Sequence, residues 1–241
     1  MNAYIVTGAS GDIGGAIARR LAADSCGLLL CANKNAGALE ALTAECEALG
    51  SRCERFCGDL SAAAQAEAMA ALALSRFGKI DGLINTAGTA SLGLLTDLSE
   101  SGWNEVLASN LTTVYQTCRA VVPAMVSRKK GVILNISSVW GVRGASCEAA
   151  YSAAKGGVNL LTKALAKELA PSGISVNALA LGMVDTKMNA MLSQEELDAI
   201  AEEIPAGRST TPAETAQMVR LLLTAPAYLT GQVIGFDGGW F

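Results

Sequence analysis

Residues 3–14 read Ala3-Tyr4-Ile5-Val6-Thr7-Gly8-Ala9-Ser10-Gly11-Asp12-Ile13-Gly14. An apolar run enters a turn containing Gly8, Gly11 and Gly14, and apolar residues at helical spacing continue over 13–23. A strand that passes through glycines straight into a helix brings backbone amides close to whatever lies at the helix start. Glycines permit that close approach, and the free N–H groups of the first helical turn attract a pyrophosphate. The same turn also occurs as a plain strand-to-helix connection with no ligand, so its meaning depends on the rest of the chain.

Outward from this turn, short apolar runs at 3–7, 27–32, 52–57, 80–85, 131–137, 174–180 and 232–236 predict seven strands. Helical patterns at 13–23, 36–49, 62–77, 103–126 and 149–169 lie between them. Strands alternating with helices imply right-handed crossovers, hence a Rossmann-like, doubly wound α/β fold with a parallel seven-stranded sheet. The 241 residues contain 51% hydrophobic and 17% charged residues and no Pro/Ser linker, so one domain over 1–241 is expected. Such sheets bind ligands beyond the carboxyl ends of their strands. The stretch 183–208 stands apart: Met188, Met191 and Leu192 precede an acidic run from Glu195 to Glu203, closed by Pro205 and Gly207. It reads as a helical lid over a pocket, or as an ordinary surface helical pair.

The formal charge is −4, and the longest basic block is Arg128-Lys129-Lys130, which argues against a nucleic-acid or anionic-membrane partner. No apolar stretch approaches the ~18 residues of a membrane span. The chain has no histidine, so a Ser-His-Asp relay and a His-ligated metal are excluded. Proton chemistry near neutral pH then falls to Tyr, Lys, Cys or a carboxylate with a shifted pKa. Seven scattered cysteines without a C-x-x-C spacing read as reduced thiols, and a cytoplasmic location is expected.

Tyr151 and Lys155 stand four residues apart in a helical pattern, so they share one face. A neighbouring ammonium favours the phenolate and is expected to lower a phenol pKa from near ~10. The glycine turn, Asn85-Thr86-Ala87-Gly88 at the fourth strand, the Tyr151/Lys155 pair and Asp237-Gly238-Gly239 near the end together resemble the short-chain dehydrogenase/reductase family across essentially the whole chain. The resemblance implies an enzyme acting on C=O/CH–OH groups with a catalytic set of Asn110, Ser138, Tyr151 and Lys155. Ser138 is selected over Ser137 because that family places its serine thirteen residues before the tyrosine.

It further implies a nicotinamide cofactor held by Gly8, Ser10, Gly11, Asp12, Ile13 and Gly14, with Asp59 and Leu60 beside the adenine. Asn85, Ala87 and Gly88 fall on the adenosine ribose side, and Gly182, Val184 and Thr186 near the nicotinamide. Two departures stand out. Asp12 replaces the middle glycine of T-G-x-x-x-G-x-G, where it either caps the helix or faces a phosphate unfavourably. Leu181 replaces the usual proline before Gly182. After the second strand the chain reads Ala32-Asn33-Lys34-Asn35, with no carboxylate for ribose hydroxyls, so Asn33 and Lys34 favour NADP(H) over NAD(H).

The overall likeness is to 3-oxoacyl-acyl-carrier-protein reductases, which implies NADPH-dependent reduction of a small-molecule or carrier-bound ketone. Ser137-Ser138-Val139-Trp140-Gly141 and Gly144-Ala145-Ser146-Cys147-Glu148 are similar to reductases of the 5-aminopentanone modification on elongation factor P. Trp140 and Glu148 would then line the mouth of the site, or else serve packing and helix-terminal charge. A hydroxysteroid or sugar-alcohol dehydrogenase remains an alternative, as does a non-catalytic NADP-sensing regulator. The excess of small and apolar residues on 103–126 and 149–169, including Ala153, Ala154, Gly156, Gly157, Leu160 and Leu161, predicts a homotetramer.

Overall fold

Strands β1 (Ala3–Val6), β2 (Gly27–Ala32), β3 (Arg52–Cys57), β4 (Gly82–Asn85), β5 (Gly131–Ser138), β6 (Ile174–Leu181) and β7 (Val233–Phe236) form one sheet in a computed structural model. The structure describes residues 1–90, 92–189 and 192–241, so Met191 of the excursion lies outside the described residues. All pairings are parallel, in the order β3-β2-β1-β4-β5-β6-β7. The order reverses between β1 and β4, which opens a crevice at their carboxyl ends, beside the glycine turn.

Alternation along the strands sends side chains to two cores. Val6, Leu28, Leu30 and Ile84 pack on one face with Ile17 and Leu21 of α1 (Asp12–Ala22), Leu39 of α2 (Ala36–Ala48) and Val219 of α9 (Pro212–Leu223). Ile5, Leu29, Leu83 and Ile133 pack on the other face. There they meet Met69 of α3 (Ala63–Phe77), Val121 of α5 (Thr113–Arg128) and Val158 of α7 (Ala149–Leu169). Burial on both faces explains the near-continuous apolar strands, and each fully buried Leu or Ile contributes about 1.5–3 kcal/mol.

The fourth strand begins at Gly82 rather than at Ile80; just before it the Asp81 carboxylate accepts from the Ala3 amide (2.9 Å) and pairs with Lys79 (2.9 Å) and Arg128 (3.0 Å). The predicted helix over 103–126 is three pieces: α4 (Glu100–Leu107), a π turn over Ala108–Thr112, and α5. One extra residue in the π turn rotates the downstream helix relative to α4, and Asn110 lies within the turn, fully buried. The short helix α6 (Trp140–Arg143) comes after β5, and α8 (Gln194–Glu203) after β6, opened by a Ser193/Glu196 capping box. Ile204 after α8 is buried, and Ala206 N–H donates to Gly238 O (3.0 Å), which ties the 183–208 segment to the chain end.

A buried polar ladder crosses the sheet beneath the crevice. Thr117 Oγ1 donates to Asn85 Oδ1 (2.8 Å), Asn85 Nδ2 to Asn135 Oδ1 (2.9 Å), and Asn135 Nδ2 to Thr162 Oγ1 (2.9 Å). Every member is satisfied, so the ladder fixes α5 and α7 relative to β4 and β5 without leaving orphaned groups.

Candidate active site

The glycine turn closes because Thr7 and Thr86 bind each other. Thr86 N–H (3.1 Å) and Ala87 N–H (3.3 Å) donate to Thr7 Oγ1, while the Thr86 hydroxyl donates to Thr7 O. Gly8 sits at φ +62°, and a Cβ there would stand 2.8 Å from Ala87 Cα, so both conformation and space demand glycine. Gly14 is constrained by space alone, since a side chain would run into Gly8 O. Gly11 caps α1 without a side-chain hydrogen bond, leaving the first-turn amides unclaimed by side chains.

Asp12 does not cap the helix as expected. It is the first residue inside α1, and its Oδ2 accepts from the Lys187 N–H at 2.7 Å. The carboxylate is therefore turned across the cleft toward the segment after β6. Asn33 and Lys34 come directly after β2 and are exposed; Asn33 O accepts from Cys57 Sγ (3.3 Å). Asp59 is exposed, and its Oδ1 accepts from the amide (3.0 Å) and hydroxyl (2.7 Å) of Ser61, while Leu60 is buried. Asn85, expected on the ribose side, has its side chain committed to the ladder; Ala87 and Gly88 continue past it, and Gly88 lines the cavity beside the crevice. Gly182 packs against Asp237, whose Cα would be 2.8 Å from an added Cβ. Leu181, in place of proline, keeps its carbonyl in the frame of the sheet, where it accepts from Val139 N–H (2.9 Å).

Four side chains meet at the floor of a cavity of about 290 Å³ next to this turn: Asn110, Ser138, Tyr151 and Lys155. Lys155 is buried, its Nζ donates to Ile136 O (3.0 Å) and lies 5.5 Å from the Tyr151 ring centre. Helix α7 can come this close to α6 because Gly141 has no side chain; a Cβ there would be 2.7 Å from the Lys155 backbone. Ser137 Oγ donates to Asn159 Oδ1 (2.7 Å) and Asn159 Nδ2 to Gly141 O (3.0 Å), which locks the register of α7 on β5. Ser138 Oγ accepts from Trp140 N–H (3.2 Å) and stands near enough to the Tyr151 hydroxyl to favour its ionised form. Asn110 Nδ2 donates to Thr89 O (2.8 Å) and Val106 O (3.0 Å), and its Oδ1 is buried with no protein partner. The space a Gly88 side chain would take is bordered by that Oδ1 and, at 3.5 Å, by Lys155 Nζ.

The electrostatics differ from the sequence expectation. Burial pushes Tyr151 up to about 12, offset in part by the Ser138 hydrogen bond and reinforced by the Glu148 charge. Burial pushes Lys155 down to about 8. Desolvation thus outweighs the attraction of the ammonium for a phenolate, and Tyr151 is a protonated phenol at neutral pH.

The cavity walls include Thr86 of the motif at the fourth strand, Met183, Met188, Leu192 and Ile200 of the 183–208 stretch, and Trp240, to which no motif pointed. Trp140 packs edge-on to Trp240 (5.2 Å) and Phe241 (5.3 Å), an arrangement between the middle and the end of the chain that sequence spacing could not reveal. Half-buried Glu148 lines the same cavity; burial raises its pKa, and a hydrogen bond from Trp140 opposes the rise. All seven cysteines are free, and no cluster of metal-ligating side chains exists among the described residues.

A helix-terminal glycine crevice joined to a Ser/Tyr/Lys/Asn floor defines a nicotinamide-dependent oxidoreductase of the Rossmann type. The chain belongs to the short chain dehydrogenase family, whose model matches residues 2–197. It is 40% identical to the uncharacterized oxidoreductase YmfI of Bacillus subtilis over 98% of this chain and 97% of that protein. It is 38% identical to a 3-oxoacyl-[acyl-carrier-protein] reductase of Synechocystis over 98% and 95% of the two chains. Among solved structures, an actinorhodin polyketide ketoreductase variant crystallised with NADPH superposes with a TM-score of 0.94 at 35% identity, over 99% and 97% of the two chains. The protein is an enzyme acting on C=O/CH–OH groups.

Proposed function

We propose that the chain reduces a 3-oxoacyl thioester, carried on coenzyme A or an acyl carrier protein, to the 3-hydroxy product with NADPH. The observation that carries this reading is the convergence of Asn110, Ser138, Tyr151 and Lys155 on one cavity floor beside the glycine crevice. A bound reduced nicotinamide supplies the hydride. The crevice fits such a group: Gly8 and Gly14 leave no side chain over the turn, and the α1 amides are free of side-chain caps. Gly8, Ser10, Gly11, Ile13 and Gly14 would hold the pyrophosphate side, and Val184 and Thr186 the carboxamide. Lys34, after β2, would meet a 2′-phosphate.

Ser138 holds the ketone oxygen, and Tyr151, protonated at neutral pH, donates to it as charge develops there. Lys155 replenishes that proton, and the unpartnered Asn110 Oδ1 beside it is placed to accept a hydrogen bond from a water that passes protons to Lys155. The excursion 183–208 covers the substrate, with Leu192 and Ile200 as its inner wall.

A second reading is favoured by Glu148 and Trp140. The one carboxylate among the cavity-lining residues stands beside aromatic rings, which suits an ammonium-bearing ketone such as the 5-aminopentanone group on elongation factor P. Acetoacetyl-coenzyme A, acetoacetyl-acyl-carrier protein and modified elongation factor P, each assayed with NADPH and NADH, separate the readings. Turnover of the thioesters with kcat/KM at least about tenfold higher for NADPH is expected. Turnover confined to the modified protein would select the second reading.

A further inference from the structure

We propose that Asp12 is a positioning residue: it latches the segment after β6 to the glycine turn and so holds Val184 and Thr186 in place. The segment's base is fixed by main-chain bonds. Asp185 N–H donates to Thr210 O and Thr210 N–H to Met183 O, both at 2.9 Å. Its own turn is closed locally, by Asn189 N–H to Thr186 O (3.1 Å) and Asn189 Nδ2 to Val184 O (2.7 Å). Neither set of bonds reaches the glycine turn. Among the described residues, the Lys187 N–H to Asp12 Oδ2 bond (2.7 Å, 175 residues apart) is the one hydrogen bond joining 8–14 to 183–189.

The chemistry of the residue fits this task. A carboxylate accepting from an amide forms a short, charge-assisted bond, and Lys187 opens a 3₁₀ turn whose first N–H has no acceptor within that turn. A glycine at position 12, as in the family pattern, could not make the contact. Because Lys187 is the residue after Thr186, one bond sets the separation between the α1 end of the crevice and the residues assigned to the carboxamide. The same bond gives the carboxylate a donor across the cleft while Asp12 stays in the first turn of α1. That Asp12 also complements the α1 dipole is a separate effect. Asn and Ala abolish that effect equally, yet only Asn keeps an acceptor for Lys187.

The kinetic consequence rests on the function proposed above; the structural one does not. Hydrogen–deuterium exchange of the cofactor-free protein reads the Lys187 amide in wild type, Asp12→Ala and Asp12→Asn. Asp12→Ala is expected to speed its exchange about tenfold, with Asp12→Asn within about threefold of wild type. With saturating NADPH and acetoacetyl-coenzyme A, Asp12→Ala should lower kcat about five- to tenfold, the NADPH Kd should change less than about threefold, and Asp12→Asn should recover most of the loss. Equal exchange in all three proteins, or identical behaviour of the Ala and Asn variants in both measurements, overturns the latch. If wild type does not turn over the thioester, the proposed substrate falls, and exchange alone still decides the role of Asp12.

Discussion

Burial moves Tyr151 and Lys155 in opposite directions, up to about 12 and down to about 8, and each shift has a measurable consequence. A phenol that keeps its proton is suited to donate it, so Tyr151→Phe is expected to lower kcat by at least about 10²-fold while leaving the NADPH Kd within about threefold. Stopped-flow turnover and cofactor fluorescence check both values; retention of a tenth of wild-type kcat removes Tyr151 from the proton transfer. Lys155 has a folded pKa below its unfolded value, so the unfolded chain binds more protons between about pH 8 and 10.5. The cost of burying the ammonium is therefore full below pH 8 and fades as pH rises through that window. Lys155→Met discards the charge and also the bond to Ile136 O, for a net gain near ~1 kcal/mol, about 2–4 °C in Tm at pH 7. The gain should shrink at pH 9.5, and the variant should be inactive; a lower Tm at pH 7 contradicts the burial argument. The Tyr151/Lys155 spacing was legible because a helix face is written in four-residue steps. The pKa balance was not, because burial depends on Gly141 admitting α7, a contact invisible in either segment alone.

At the scale of elements, the strands and their parallel arrangement were legible in apolar runs and glycine punctuation, whereas the π turn over Ala108–Thr112 was not. Periodicity reads the whole of 103–126 as helix, since one inserted residue barely disturbs a 3.6-residue pattern. Yet that insertion is what turns Asn110 inward against Gly88. The segment after β6 was half legible: the acidic face of α8 is plain in sequence, while the placement of Leu192 and Ile200 along the cavity needed the fold. The turn after β2 presents Lys34 exposed and outside any ion pair found among the described residues. On the proposed use of NADPH, an ammonium there would attract the 2′-phosphate through an exposed, salt-sensitive contact. Lys34→Ala is expected to raise KM for NADPH about three- to tenfold and to leave KM for NADH within about twofold. Equal changes for both cofactors would show that the lysine acts on the shared part of the dinucleotide.

Across the whole molecule, the surface of α5 and α7 contains apolar residues that the core does not need. Leu160 is 68% exposed and Tyr115 48%, and Ala153 is exposed on α7. Not every small residue of these helices belongs to that surface: Ala154 is fully buried, and Gly157 is small because Leu111 of the same chain lies 2.9 Å from where its Cβ would be. Glycine content alone could not separate internal helix contacts from external ones. The remaining exposed patch is expected to pair α5 and α7 with a second copy across a two-fold axis, and two such pairs to make a tetramer. Since α7 carries Tyr151 and Lys155, that pairing would also brace the catalytic floor. Light scattering at micromolar concentration should therefore return a mass near four times 24.6 kDa. Leu160→Glu places a charge in the centre of the proposed contact, which a buried apolar interface cannot solvate. It should shift the mass to a dimer or single chain and lower kcat in step with the loss of assembly. A wild-type mass of one chain, or a Leu160→Glu protein that keeps the wild-type mass, would show that this face of α7 is simply exposed.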